Sequence, residues 1–532
     1  MLVGDIITLH SINYPGKVAL IDEAGTRLTW KEFNTRINRL AHALHGLGLA
    51  KGDRVAIISR NSHQVAEFLF AVAKAGLVSV ALNYRLAPPQ LLAILQDCTP
   101  RAMLIQKEFA EAADSIYPKV STIEHVIGID QGHSYPLDYE SLLETSSPDE
   151  PQIEVSENDL HTLLYTSGTS GEPKGVPQTH RRLMSGLWIE PFFRCRYYFD
   201  DIVLLGLPWS AAAGQFQIAA VCLAAVTIVC HTFSAKSFAE LIEREKVTVT
   251  YLGSTQYKMV RDYLDTCGHT YDFSSLRSIR VGARPMPSDQ LKDMLDYFKI
   301  PYNQTHRCLG STENIPILPV MLSGEDIARG LRPDATEKER RRVDSLGRPY
   351  LSIVRIIDQE GNDVPTGNVG EIIVKNEGVG SGYWNKPELT AQKYRDGWYY
   401  TGDLGSFDED GYIYFHGRKD FLIKSGMLFV SPVEVENAIL RHPAVAEAAV
   451  IGVPDEKWGQ AVKALVTLKP GQQATEEEIR NHCRDYLAGY QVPKSVDFYQ
   501  ELPKDHQGKI AVKQLIKLYA ERGGTSQSTN SL

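Results

Sequence analysis

The chain has 532 residues, 43% of them hydrophobic and 23% charged, with a formal net charge of −9. That length exceeds what one hydrophobic core supports and points to two or three domains, and the acidic balance leaves no electrostatic footprint for nucleic acid. Seven cysteines, odd in number and never spaced C-x-x-C, argue against a disulfide framework or a zinc site, so they are expected as reduced, mostly buried thiols.

The first residues, "MLVGDIITLHSINYPGK", lack a basic start followed by a continuous apolar core, so they do not read as a signal peptide, and a cytoplasmic protein is expected. "RVAIIS" (54–59), "RAMLIQ" (101–106), "DIVLLGLP" (201–208) and "VTVTYLG" (247–253) are short β-rich runs. Helical stretches such as "HQVAEFLFAVAKAG" (63–76) separate them, which predicts a parallel sheet with crossover helices. "IAAVCLAAVTIVC" (218–230) is too short to span a bilayer and reads as a buried helix leading into a strand, so no transmembrane segment is expected. "EKERRRVD" (337–344) mixes arginines with acids and reads as a solvated surface segment.

From about Leu346, "IVRIIDQEGNDVPTGNVGEIIVK" gives two β-rich runs separated by Gly, Asn, Asp and Pro, the pattern of antiparallel strands in a β subdomain. "SPVEVENAILRHPAVAEAAVIGVPDEKWGQAVKALVTLKPG" then reads as helix, strand, charged turn and strand, about enough for a small separate domain. The expected fold class is α/β: a large N-terminal domain of αβ layers with a β subdomain (1–419), a small mobile α+β domain (420–522) and a disordered tail (523–532).

The densest chemistry lies in "LLYTSGTSGEPKGVPQTH", Leu163 to His180. Glycine imposes no Cβ and each hydroxyl or N–H can donate to oxygen, so such a loop lets the main chain approach a bulky anion closely. A phosphate is the natural guest. The loop is not a Walker loop, since no G-x-x-x-x-G-K-[ST] reads through it.

This motif is joined in order by "VGARPMP" (281–287), "LGSTE" (309–313), "GYWNKPELT" (382–390), "YYTGDLGSFDEDGYIYFHGRKD" (399–420), "SGMLFVSPVEVE" (425–436) and "LPKDHQGKI" (502–510). Together they closely resemble the acyl-adenylate-forming (AMP-binding) superfamily of acyl-CoA synthetases, adenylation domains and firefly-type luciferases. The resemblance runs from about Leu28 to Ile510 and implies ATP, Mg2+ and coenzyme A as cofactors.

By that resemblance Thr166, Ser167, Gly168, Thr169, Ser170, Gly171 and Lys174 form the mobile loop around the β- and γ-phosphates, with the lysine as a mobile charge beside the pyrophosphate. Thr312 and Glu313 contact the α-phosphate and hold magnesium, a hard ion that takes carboxylate oxygen and needs one or two protein ligands. Gly310 and Ser311 belong to the same motif, and Leu309 stands where relatives carry an aromatic ring that packs on adenine. Gly282 and Ala283 would lie against adenine and the acyl group, Asp403 would accept the ribose hydroxyls, and Arg418 would sit near the same sugar.

Lys509 would reach the adenylation site from the small domain and offset the repulsion between a carboxylate and the α-phosphate. Asp420 falls at the hinge position, and Gly426 would replace Lys509 at the site after rotation, leaving room for a pantetheine arm. The acyl pocket is expected from the region of Trp188 and from Ser210, Ala211, Ala212 and Ala213, the last four with small side chains that suit a bulky aromatic or medium- to long-chain acid, with Arg307 a candidate for a second carboxylate.

The implied activity is an ATP-dependent carboxylic acid:CoA ligase, AMP-forming, acting through an acyl-adenylate. Loading of a carrier-protein phosphopantetheine and a luciferase-like oxygenase are the alternatives. Its partners would be the acid, ATP and CoA, without nucleic acid; a homodimer is left open.

Overall fold

A computed structural model describes residues 1–166, 172–189, 196–282, 286–426, 428–504 and 510–521, and of Leu309 only the main chain. By contacts the chain forms two units, Met1–Val354 with Val374–Tyr400, and Arg355–Ile373 with Thr401–Leu532. The sequence reading draws its boundary after residue 419, whereas contacts group 355–373 and 401–419 with the C-terminal segment.

The first unit holds two sheets. One runs, in spatial order, through Leu137–Asp138, His125–Gly128, Ala102–Ile105, Arg54–Ile58, Val78–Leu82, Leu160–Thr166 and Lys174–Thr179. All its neighbours are parallel except the last pair. The other is nine-stranded, with a parallel interior from Val18–Ile21 through Thr227–Cys230, Ile202–Leu205, Val249–Leu252 and Ser278–Val281 to Arg307–Leu309. Strands such as Val78–Leu82 are buried at every position, as a parallel strand covered on both faces must be.

The crossover helices follow from local chemistry. Helix His63–Lys74 starts where the Ser62 hydroxyl accepts the Val65 N–H, and Val65–Ala73 are all buried. Helix Ala212–Leu223 is followed by strand Thr227–Cys230, as "IAAVCLAAVTIVC" predicts. Residues of both sheets, Ile57 and Leu205 among them, meet Trp30, Phe33, Phe68 and Trp209 in one apolar cluster. Segment 337–344 is a helix, Glu337–Val343, which the surface reading left unassigned; Thr336 and Glu339 cap it reciprocally. Among the described residues no helix is long and apolar enough to cross a membrane.

In the second unit, strands Val445–Asp455 and Gly459–Leu468 form a long antiparallel hairpin, with Ser495–Tyr499 parallel on its far edge. Helices Pro432–Leu440 and Glu476–Arg484 contribute Val435, Ile439 and Ile479 to one core, and helix Val512–Glu521 contributes Leu515 and Tyr519 to a second.

Two buried histidines in the first unit give the fold a pH dependence. His161 and His180 lie with ring centroids 5.2 Å apart, and His180 Nδ1 accepts the Val3 N–H at 3.3 Å. Burial pushes His180 down to about 4 against the pull of Asp159 and Asp5, and burial, the neighbouring His180 and Arg182 push His161 well below the usual imidazole range. Between the unfolded value near 6.5 and about 4 the unfolded chain therefore binds more protons, so stability is full above that window and is lost as pH falls through it. The melting temperature should drop from pH 6.5 to 4.5, with each such histidine adding a slope of up to about 1.4 kcal/mol per pH unit, and His180→Gln should flatten it.

Candidate active site

Strands Leu160–Thr166 and Lys174–Thr179 pair antiparallel in a register that sets Thr166 opposite Lys174. Ser167, Gly168, Thr169, Ser170 and Gly171 lie outside the described residues. Lys174 is buried, its ammonium 5.7 Å from the centroid of the Tyr383 ring. The following residue fixes the approach of the Tyr383 segment: the Trp384 N–H donates to the Gly175 carbonyl at 2.8 Å, and a Cβ on Gly175 would lie 3.1 Å from that of Trp384.

Strand Arg307–Leu309 leads into the loop carrying Thr312 and Glu313. The Asn314 side chain accepts the Ser311 N–H at 2.7 Å, and Gly310 is exposed. Glu313 is buried, and its Oε1 accepts the Tyr383 hydroxyl at 2.8 Å. Among the described residues no other hydrogen bond or ion pair engages this carboxylate. Tyr394 and Tyr399 complete the surround, with ring centroids 5.8 Å between Tyr383 and Tyr394 and 5.1 Å between Tyr394 and Tyr399. Burial first, and the negative charge of Glu313 second, push all three phenols up, so they stay neutral donors at any working pH.

The loop's main chain is held from beneath by a residue the sequence reading passed over. Arg182, in the first turn of helix His180–Leu187, is buried and donates to the carbonyls of Pro177, Gly378, Thr312 and Glu313. A cation in "THRRLM" gives no periodic signal, so only its contacts reveal it. Gly282 follows strand Ser278–Val281, and apart from its chain neighbours no atom of the described residues lies within 4 Å of a Cβ built there; Ala283 lies outside the described residues.

In the second unit Asp403 and Arg418 face each other across strands Trp398–Phe407 and Ile413–Arg418, with Nε 3.2 Å from Oδ1. Arg418 donates to the Thr401 carbonyl at 3.0 Å and the Asp403 N–H to the Thr401 hydroxyl at 2.9 Å, so the Asp403 main chain and the arginine beside its partly exposed carboxylate are both anchored at Thr401. Asp420 is exposed on the short turn Lys419–Phe421. Contacts span it in sequence: His416 Nδ1 lies 2.6 Å from Glu434 Oε1, and the Ser431 hydroxyl donates to the His416 carbonyl. Gly426, φ +65°, turns the chain between Ile423–Ser425 and Leu428–Val430, and its N–H donates to the Trp458 carbonyl at 2.7 Å. Lys509 lies outside the described residues, between Lys504 and Ile510, which bridge antiparallel.

Comparison with known proteins decides the family. Residues 10–384 match the family described as AMP-binding enzyme, and residues 434–509 match the AMP-binding enzyme C-terminal domain. The chain belongs to the AMP-binding enzyme family. It is 33% identical over 496 residues to a feruloyl-CoA synthase of Amycolatopsis sp, covering 92% of this chain and 94% of that one. It is 32% identical over 520 residues to the fatty acid–[acyl-carrier-protein] ligase ScoC of Streptomyces coeruleorubidus, covering 96% and 94%. The crystal structure of the anthranilate CoA ligase AuaEII in complex with anthranoyl-AMP superposes with a TM-score of 0.87 at 26% identity, covering 99% of this chain and 98% of that one.

Among the described residues, those expected to line this AMP-binding enzyme's acyl pocket lie in different surroundings. Trp188 is exposed at 42%, its indole N–H donating to the Ser185 carbonyl at 3.0 Å, and Ala213 is exposed at the start of its helix. Ala211 precedes that helix, and the Ser210 hydroxyl oxygen is buried without a hydrogen-bond partner among the described residues. Ala212 lines a cavity of about 30 Å³ with His161, Gln178, Gln215 and Phe216. That is room for a water molecule, not for an acyl chain. Arg307 is a correction: its guanidinium is buried and donates to the carbonyls of Val343, at 2.9 Å, and Met286. Burial lowers it to about 10, so it remains a cation whose fork is taken up by main chain and does not face a substrate carboxylate.

Proposed function

We propose that this AMP-binding enzyme is an ATP-dependent carboxylic acid:CoA ligase acting on a bulky aromatic or medium- to long-chain acid. The acid's carboxylate attacks the α-phosphorus of ATP, giving acyl-AMP and pyrophosphate; the CoA thiol, losing its proton, then displaces AMP to give the thioester. The observation that carries this reading is the Glu313 carboxylate, held at one oxygen by Tyr383 while Lys174 lies over the same ring.

A single hard oxygen donor set in a buried wall fits magnesium, which keeps most of its waters and asks one or two ligands of the protein. Glu313 would hold it, and bound there the ion supplies positive charge to phosphate oxygens. Thr312 would face the α-phosphate, Thr166 and the loop after it the β- and γ-phosphates, and Asp403 the ribose, with Arg418 orienting that carboxylate. Lys509 would offset negative charge as the acid approaches, and a swing about Asp420, with the small mobile domain beginning there, would replace it by Gly426 for thioester formation.

The relatives named for feruloyl-CoA and for a fatty acid support a large acid, and the second, a carrier-protein ligase, keeps that acceptor as the specific rival to CoA. The enzyme is taken to work in the cytoplasm, and a homodimer fits its class. AMP release over a panel of ferulate, indole-acetate, C8–C16 fatty acids and acetate, with and without free CoA, tests the reading. CoA-dependent thioester from the bulky acids, with acetate at least tenfold slower, is expected; adenylate formation with no thioester on free CoA would turn the assignment to a carrier protein.

A further inference from the structure

Arg182 is costly where it stands. A guanidinium in the first turn of a helix meets the positive end of the helix dipole, and burial removes its water. Its hydrogen bonds go to four main-chain carbonyls from three separate segments: Pro177 at 2.8 Å, Gly378 at 2.8 Å, Thr312 at 3.3 Å and Glu313 at 2.7 Å. An apolar side chain of similar volume would pack there without the desolvation, so stability alone does not account for an arginine. What the fork supplies is geometry, because five N–H groups in one rigid plane fix the relative positions of everything they touch.

The fixed point is the main chain of Glu313. Its carbonyl accepts both the Arg182 fork and the Gly380 N–H at 3.0 Å, while its carboxylate accepts the Tyr383 hydroxyl. Gly380 leaves the space the fork needs, since a Cβ there would lie 2.7 Å from Arg182 Nη1. Glu313 is thus clamped at its carbonyl and at one carboxylate oxygen, with the other oxygen directed by both.

We propose that Arg182 is a positioning residue for Glu313, locking the Thr312–Glu313 main chain to the strand that returns from the phosphate loop so that the carboxylate is presented to the divalent cation in one geometry. The inference rests on the reading of Glu313 as the magnesium ligand. Arg182 does not touch nucleotide or acid; it acts through Glu313.

The test is metal binding read without turnover. Mn2+ is titrated by electron paramagnetic resonance into the full-length protein with the non-hydrolysable analogue α,β-methylene-ATP, comparing wild type, Arg182→Lys, Gly380→Ala and Glu313→Gln. Arg182→Lys keeps the charge and loses the fork; it should weaken Mn2+ tenfold or more while the metal-free affinity for the analogue stays within twofold. A folded Arg182→Lys that binds Mn2+ within twofold of wild type, or that loses metal and analogue equally, overturns the proposal. Should Arg182→Lys not fold, Gly380→Ala, which displaces the fork by its methyl group, carries the same expectation and the same refutation. Glu313→Gln separates the two readings: unchanged Mn2+ binding there removes the ligand assignment and the proposal with it, whereas a loss in Glu313→Gln beside an intact Arg182→Lys refutes Arg182 alone.

Discussion

Lys509→Ala should abolish acyl-adenylate formation and spare the second half-reaction. A unit charge about 4 Å from the developing negative oxygens, at an effective dielectric near 20, is worth about 4 kcal/mol, or roughly three orders of magnitude in rate. Pyrophosphate exchange into ATP should fall by that factor, while thioester made from supplied acyl-AMP and CoA stays within about threefold of wild type. The flanking main chain explains why the substitution should leave the fold intact. Ile510 bridges Lys504, the Lys504 ammonium pairs with Glu447, and Leu515 and Tyr519 of the next helix lie in a buried core. Equal loss of both halves would contradict a lysine that serves adenylation only.

Gly426→Leu should produce the mirror image. At φ +65° the glycine occupies backbone that an L-residue enters at a cost of about 1–2 kcal/mol, and a Cβ there would lie 3.0 Å from Cε3 of Trp458. A leucine branch would have to turn away from that ring into the space a thin thiol-bearing arm would use. Thioester formation from supplied acyl-AMP should drop by about a hundredfold or more, with pyrophosphate exchange within threefold of wild type. Gly426→Ala, which adds the backbone strain without the branch, separates the two contributions: if it matches the leucine variant, strain and not obstruction is responsible.

Much of the scaffold was legible because its signals are local. Continuous apolar runs such as 54–59 and 101–106 became Arg54–Ile58 and Ala102–Ile105, since a strand covered on both faces has no polar position to spare. The reciprocal cap of Thr336 and Glu339 was equally present in the sequence, yet arginine-rich composition drew attention from it. The candidate site was legible only where motifs carry it. Thr312, Glu313 and Asp403 lie in ordered matches, but Arg182 and Arg307 differ from any surface arginine only by which carbonyls surround them. Those carbonyls belong to residues as far apart as Pro177 and Gly378, a separation no pattern in the sequence reports. The alanines of 211–213 show how little side-chain size says by itself: Ala212 is buried beside a cavity with room for a water molecule, whereas Ala213 is exposed.

The contacts across residue 420 would set a starting cost for the proposed domain alternation. His416 and Ser406 precede Asp420 and Glu434 and Gln491 follow it, joined as a relay: Ser406 to His416 at 2.8 Å, His416 to Glu434 at 2.6 Å, Gln491 to Glu434 at 2.7 Å. The proposed swing about Asp420 would therefore begin by breaking these bonds. If the proposed alternation runs through this point, loosening the Ser406–His416–Glu434–Gln491 clasp would help set how fast it starts.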